Sequence, residues 1–404
     1  MTHLIGIGGV GMSALAEALV SLGCAVSGAD RLVGTVGREM WPPSIARLEA
    51  LGVKVFPDDG SGVDGSVERI VVSTAIEDGN PGLVKAKESG IPVVHRSAAL
   101  ADALSRFNLV AVAGTCGKST VTAMLAHVLH SCGMEPFAVN GAAVVGWNGS
   151  VLPGRGRYAV AEVDESDKSL SAFSPYAAVI TNSSSDHYPK EEMDGVFDDF
   201  IRDVKGPVVD GRVVCHDADS SLPGAHNRQN AGLALAMAVA LGADEAKARA
   251  ALMDFPGVER RMQKIGRCGG ADVYDDYAHN PEKLRAMLVT LQERHDNGVA
   301  VLWRPHGYGP LRKMLDPLAE MFNGTLRPQD RLVLLPVYDA GGTADRSVNS
   351  DALAGKIGNS VYVETPEEAV GLLKAQSPAY GAIVTAGARD PGLPVMARNL
   401  ARKE

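Results

Sequence analysis

Long apolar runs are missing from this 404-residue chain. No stretch of eighteen consecutive apolar residues occurs, so no segment is expected to span a membrane. A surplus of positive charge is missing too. The net charge is −9, which argues against a general nucleic-acid or anionic-membrane surface. Any phosphate it binds must be met by local backbone N–H groups and a few cations. Cysteine is scarce: Cys24, Cys116, Cys132, Cys215 and Cys268 are scattered, odd in number and without metal spacing. They read as reduced thiols, not as a disulfide framework. No basic n-region or signal-type apolar segment precedes the strand-like H-L-I-G-I-G, so a cytoplasmic location is expected. Short repeats, low-complexity tracts and long linkers are absent as well.

What the chain has in quantity is glycine, 45 residues, which suits many tight βα turns. Its length exceeds one ordinary core and points to two or three domains. Strand and helix patterns alternate from end to end, the signature of α/β layers with largely parallel sheets. Three α/β domains are expected, over 1–107, 108–258 and 259–404. The first has strands at 3–7, 25–29 and 69–74 and a helix over 10–22. The second has strands at 108–113, 158–163 and 177–181, a helix from Lys118 to Cys132, an Ala-rich buried helix over 228–241 and a short helix near 244–254. The third carries the strands D-V-Y-D-D-Y, V-A-V-L-W, R-L-V-L-L and A-I-V-T-A, with helices between them.

G-I-G-G-V-G at 6–11 follows a strand and opens a helix, the context of a dinucleotide-type loop. Gly6, Gly8, Gly9 and Gly11 would let backbone approach a diphosphate, and Asp30 stands where a ribose-binding acid belongs. The pattern does not separate NAD from another nucleotide diphosphate, nor either from a tight turn without a ligand. A-G-T-C-G-K-S-T at 113–120 ends like a phosphate loop, yet Val112 stands where the Walker pattern asks for its first glycine. Its strand–loop–helix context still predicts an anion nest from Gly114 to Ser119, with Lys118 on the outer phosphates and Ser119 Oγ toward Mg²⁺. A-E-V-D-E-S-D at 161–167 is either a set of solvated acids or the second Mg²⁺ anchor, and the next strand end adds His187. G-A-H-N-R-Q-N at 224–230 supplies helix caps or ligand groups. D-D-Y-A-H-N-P at 275–281 and R-P-H-G-Y-G at 304–309 bring charged and aromatic groups to strand C-termini, where α/β sites lie.

Taken in order along nearly the whole chain, these motifs resemble the Mur ligase family, most closely its alanine-adding branch. The resemblance implies a Rossmann-like first domain for UDP-N-acetylmuramate, a P-loop central domain for ATP with Mg²⁺, and a Rossmann-like third domain for the incoming amine. The implied reaction is ATP-dependent amide formation through an acyl phosphate, on the way to peptidoglycan precursors. Gly8, Gly9, Val10, Gly11, Asp30, Ser73 and Thr74 would meet the UDP-sugar. Gly114, Thr115, Gly117, Lys118, Ser119 and Thr120 would hold the phosphates, and His226, Asn227, Asn230, Arg261 and Asp276 the rest of the nucleotide. Ser119, Glu162 and His187 would ligate metal. Tyr277, His279, His306 and Arg312 would line the amine side, with Lys118, Glu162, His187, His279 and His306 carrying catalysis. The expected partners are small molecules, UDP-N-acetylmuramate and an amino acid or peptide, with the chain a monomer or homodimer.

The chain departs from that pattern in places. After P-H, where two arginines are usual, it has Gly307 and Pro310, leaving Arg312 as the nearest cation. Y-D-A-G-G ends in Gly342 where the pattern has Glu, and G-A-R-D puts Arg389 where glycine is usual. Several dozen residues of a strand-rich segment are missing between 221 and 224. Two alternatives therefore stand beside the alanine ligase: a paralogue joining a peptide or another amino acid, and a non-catalytic UDP-sugar-binding regulator. An NAD-dependent oxidoreductase would leave the phosphate loop idle.

Overall fold

The protein, seen in a computed structural model, is described over residues 1–38, 41–165, 169–183, 190–339 and 345–402. It divides into two compact units, Met1–Val258 and Glu259–Glu404. Among the described residues no helix is long and apolar enough to cross a membrane, and all five cysteines are free.

The first unit holds two sheets. Strands β1 (Thr2–Ile5), β2 (Val26–Asp30), β3 (Lys54–Pro57), β4 (Arg69–Val72) and β5 (Val93–His95) form a parallel sheet in the order β3-β2-β1-β4-β5. Helices α1 (Val10–Ser21), α2 (Pro43–Ala50), α3 (Pro81–Glu88) and α4 (Arg96–Leu104) connect them. The chain order reverses at β1, which opens a crevice beyond its C-terminal end, where the first glycine loop lies.

The second sheet contains β6 (Asn108–Ala113), β7 (Phe137–Val139), β8 (Val151–Leu152), β9 (Tyr158–Glu162), β10 (Ala177–Ile180) and β11 (Val208–Asp210), ordered β11-β10-β6-β9-β7-β8. Only the β7–β8 pair is antiparallel. Its helices are α5 (Lys118–Ser131), α6 (Lys190–Ile201), α7 (Ala225–Ala240) and α8 (Glu245–Met253). The central strand β6 reads L-V-A-V-A and is buried on both faces, as an inner parallel strand requires. Val112 is completely buried and registers with Glu162, so the strand runs on through the position where a Walker loop would already have turned.

The two sheets share one core. Leu15, Leu19 and Leu100 from the helices of the first pack with Phe137, Val139 and Phe197 of the second, and Phe107 stacks on Phe137 at 5.4 Å. A buried carboxylate joins them as well. Glu17 on α1 accepts from the Ser150 N–H at 2.8 Å and lies 3.4 Å from Arg47 Nε. After β11 the chain reaches α7 within residues 211–224, with no strand in that span. Arg212 holds the edge through Asp210, Asp198 and Asp194.

The second unit has one sheet of β12 (Gln263–Cys268), β13 (Ala271–Asp276), β14 (Gly298–Trp303), β15 (Arg331–Leu334), β16 (Ser360–Tyr362) and β17 (Tyr380–Ala386), ordered β12-β13-β17-β14-β15-β16. It is parallel except for β12, which pairs antiparallel with β13 around a bulge. Helices α9 (Pro281–Arg294), α10 (Tyr308–Thr325), α11 (Ser350–Ala354), α12 (Pro366–Gln376) and α13 (Gly392–Ala401) complete it.

A titratable group sits inside the first sheet. His3 on β1 is 1% exposed, with Nδ1 2.8 Å from Ser27 Oγ. Burial pushes its pKa down to about 4, against the opposing pull of Asp58 and Asp64. Above pH 6.5 the ring is neutral both folded and unfolded, and the fold keeps its full stability. As pH falls from 6.5 to 4 the unfolded chain takes up this proton first, so stability is lost across that window. At about 1.4 kcal/mol per pH unit the loss reaches roughly 3 kcal/mol. His3→Gln should therefore flatten the fall in melting temperature between pH 6.5 and 4. Melting curves with the same pH slope in both proteins would count against it.

Candidate active site

The phosphate loop is built on backbone that only glycine accepts easily. Gly114 and Gly117 have φ of +125° and +86°. A Cβ at Gly114 would strike Thr181 Oγ1, and one at Gly117 would strike Asn230 Oδ1. The neighbouring strand end ties the loop down. Thr115 N–H donates to the Asn182 carbonyl at 3.2 Å and Cys116 N–H to Asn182 Oδ1 at 3.0 Å. Thr181 Oγ1 and Asn182 Nδ2 both donate to the Cys116 carbonyl, at 2.6 and 2.9 Å. The expected nest from Gly114 onward is thus narrower than its sequence suggests. Asn182 takes the Thr115 and Cys116 donors, leaving an anion the first-turn N–H groups of α5, which a helix does not satisfy internally.

Lys118 opens α5. Its Nζ donates to the Gly114 carbonyl at 2.7 Å and to both oxygens of Glu165, at 2.7 and 2.9 Å. Glu165 is 2% exposed. Burial works against the charge of Lys118, but Glu165, Glu162 and Asp164 outweigh it and hold its pKa above the ordinary lysine value. Burial also pushes Glu165 up, with Lys118 pulling it back. Ser119 and Thr120 lie buried in the same turn. Glu162, at the end of β9, accepts from the Gly141 N–H at 2.8 Å through Oε2. Ser119 and Glu162 supply a hydroxyl and a carboxylate, the hard oxygen donors that suit Mg²⁺. His187 lies outside the described residues.

Two of the residues expected around the nucleotide base also brace the phosphate loop from α7. Asn227 and Asn230 are buried on α7. Asn227 Nδ2 donates to the Pro223 carbonyl at 2.7 Å and Asn230 Nδ2 to Asn227 Oδ1 at 3.3 Å, while Asn230 abuts Gly117. His226 is half-buried beside them.

The first glycine loop is organised from beneath. Asp30 Oδ2 accepts from Gly8 N–H at 2.9 Å and Oδ1 from Leu32 N–H at 3.0 Å. Asp30, expected at a ribose, is 7% exposed and holds the loop's shape. Gly9 and Val10 form the exposed crest. Ser73 and Thr74 fall just past β4, in a turn closed by Ile76 N–H on the Ser73 carbonyl, and Ile76 packs under Gly6. The structure adds a cation that no motif marked. A Cβ on Gly11 would stand 2.7 Å from Arg96 Nη1, so this guanidinium lies against the first turn of α1. Its only sequence signal is its place just after a strand, in V-V-H-R.

In the second unit, Tyr277, His279 and His306 come together: the Tyr277 and His279 rings lie 5.7 Å apart, and those of His279 and His306 5.0 Å apart. His279 Nδ1 faces the Tyr277 carbonyl at 2.9 Å. A carbonyl only accepts, so Nδ1 carries the hydrogen. Burial, with Arg389 and Lys283 adding to it, lowers the His306 pKa to about 4 and keeps that ring neutral at neutral pH. Arg260 and Arg261 both lie over the Tyr277 ring, at 5.0 and 5.1 Å. Asp276, expected near a ribose, also pins its turn, accepting from Met262 N–H at 2.6 Å and Ala278 N–H at 2.7 Å. Its neighbour Asp275 is fully buried against Thr385 Oγ1 at 2.6 Å and Arg260 Nε at 3.2 Å. Arg312, expected on the amine side, is half-exposed on α10 and paired with Asp345. Gly342 lies outside the described residues.

Three family profiles match the chain in order: "Mur ligase family, catalytic domain" over residues 1–108, "Mur ligase middle domain" over 112–192 and "Mur ligase, glutamate ligase domain" over 260–389. The UDP-N-acetylmuramate–L-alanine ligase of Paenarthrobacter aurescens is 34% identical, covering 96% of this chain and 94% of that protein. That of Koribacter versatilis is 32% identical, covering 96% and 92%. The first alignment runs over 443 positions, more than this chain has residues, as a missing segment requires. Among solved structures, UDP-N-acetylmuramate–alanine ligase from Thermotoga maritima superposes with a TM-score of 0.80 at 26% identity, covering 99% of this chain and 97% of that one. A murein peptide ligase from Psychrobacter arcticus shares the fold at TM-score 0.67 and 20% identity, with the same coverage. With its glycine loops, its tethered lysine and this likeness along its length, the chain belongs to the Mur ligase family.

Proposed function

We propose that this chain joins L-alanine, or a closely related amine, to the carboxylate of UDP-N-acetylmuramate while ATP is cleaved to ADP and phosphate. Family membership makes it an ATP-dependent ligase of peptidoglycan precursor synthesis. The likeness to alanine-adding ligases, which extends over nearly the whole chain, supports the choice of amine. The observation that carries the reading is the Lys118 ammonium, mounted at the N-terminus of α5 with a buried carboxylate as its partner. We place the three domains at 1–107 for the UDP-sugar, 108–258 for ATP and 259–404 for the amine.

In the first step an oxygen of the sugar carboxylate bonds to the γ-phosphorus as the bond to the departing ADP oxygen breaks. In the second the amine nitrogen bonds to the acyl carbon, the bond to phosphate breaks, and the nitrogen loses a proton. Such chemistry needs positioning and charge neutralisation more than a protein nucleophile. Lys118 neutralises the outer phosphates, and to do so its Nζ leaves Glu165 for them. The N–H groups of Gly117 to Thr120 cradle the same anion. Ser119 and Glu162 would hold Mg²⁺, with His187 as their partner by resemblance, and the metal would supply further charge neutralisation. Gly9, Val10 and Gly11 bring backbone to the diphosphate of the sugar, with Arg96 beside them. His279 takes the proton that leaves the amine.

The test is ADP formation with ATP, Mg²⁺ and UDP-N-acetylmuramate against L-alanine, glycine, L-serine and short peptides. Amine-dependent ADP release with L-alanine is expected. Release only with a peptide would favour the paralogue reading. Tight UDP-sugar binding without any release would favour the regulator.

A further inference from the structure

The sheet order of the second unit places the turn after β17 between the turns that follow β13 and β14. Those flanking turns carry His279 and His306, whose rings touch. Arg389 stands in the middle turn. The turn is anchored on both sides. Gly387 N–H donates to the Asp276 carbonyl at 3.2 Å, and Arg260 Nη2 to the Gly387 carbonyl at 2.6 Å. Arg304 Nη1 donates to Asp390 Oδ2 at 2.9 Å, and Gly392 N–H to Asp390 Oδ1 at 2.7 Å.

Several arginines of the same unit have carboxylate partners, while Arg389, like Arg261 over the Tyr277 ring, has none among the described residues. Arg260 is paired with Asp275, Arg304 with Asp390, Arg312 with Asp345 and Arg346 with Asp339. The Arg389 side chain is exposed. Its backbone sits at φ +65°, in the left-handed region. Glycine would adopt that conformation freely, so the position carries a side chain against its local preference. The positions after P-H that are usually arginine cannot help. Gly307 caps α10 and Pro310 lies in its first turn, and neither offers a side-chain donor.

We propose that Arg389 binds the carboxylate of the incoming amino acid, supplying from the turn after β17 the cation missing at 307 and 310. This assignment rests on the ligase reading. A guanidinium grips a carboxylate through two parallel N–H donors, and its planar fork is already organised for that. Burial keeps the neighbouring His306 neutral, so it does not compete with Arg389 for the carboxylate as a second cation.

Arg389→Gly is the informative variant because it removes the guanidinium and suits the φ of +65°, so folding is not put at risk. The KM for L-alanine should rise about 10- to 100-fold, the range of a charge-assisted hydrogen bond, with KM for ATP and for UDP-N-acetylmuramate unchanged. L-alaninamide, which lacks the carboxylate, gives a readout that a structural role would not move. The wild type should prefer L-alanine to the amide, and Arg389→Gly should lose that preference by the same factor. Arg389→Lys should fall between them. An unchanged KM and unchanged preference in Arg389→Gly would overturn the assignment while leaving the ligase intact. No ADP release from the wild type with any amine would overturn the ligase reading, and this assignment with it.

Discussion

Lys118→Ala is expected to reduce ADP formation by about a thousandfold or more, since each 1.4 kcal/mol lost from the transition state is tenfold and a desolvated phosphate contact is worth several. UDP-sugar affinity should stay near wild type. The substitution has a second consequence, because it strands Glu165, a carboxylate only 2% exposed. Breaking one side of a buried ion pair costs about 3–5 kcal/mol, so the single variant should also melt earlier. The double variant Lys118→Ala, Glu165→Gln separates the two effects. It should regain most of the melting temperature and none of the turnover. Recovery of turnover along with stability would show that Lys118 matters through folding and would remove it from the chemistry.

Gly9→Val should weaken UDP-sugar binding about a hundredfold or more, as expected when a branched side chain occupies the space of a diphosphate against backbone. Gly9 suits this test better than its neighbours. It is exposed, with φ −65° and ψ 145°, and among the described residues its Cβ would meet just the Gly6 carbonyl oxygen, at 3.3 Å. A Cβ on Gly8 would meet Asp30 Oδ2 at 2.7 Å and disturb the loop itself. Gly9→Val should therefore keep its melting temperature and its ATP affinity. Calorimetry showing unchanged UDP-sugar affinity would move the sugar away from this loop.

Motif and period made much of the molecule legible. The inner strands read as short apolar runs because a parallel strand covered on both faces has no polar side to show, and β6, β10 and β14 bear this out. The edge strands β8, β11 and β16 and the inner β7, of two to three residues each, are too short to carry a period. The antiparallel β12 hides its alternation behind a bulge.

Roles were harder to read than elements, because a side chain's task depends on what arrives opposite it. Asp30 looks like a ligand group until Gly8 is found 22 residues away on its carboxylate. Asn227 and Asn230 read as nucleotide contacts in the sequence, and only the fold shows that they also brace the phosphate loop from α7. Arg312 looks like the nearest cation until Asp345 claims it. Local sequence by itself determined the strand–loop–helix units, the two glycine loops and the lysine that follows the second, since these are matters of backbone sterics and hydrophobic period within a few residues. Only the tertiary structure decided that Glu165 holds Lys118, that Arg96 lies at the first loop and that Arg389 stands between the two histidine turns. Those three are set by which strands become neighbours, and strand order follows from long-range packing that no local pattern encodes.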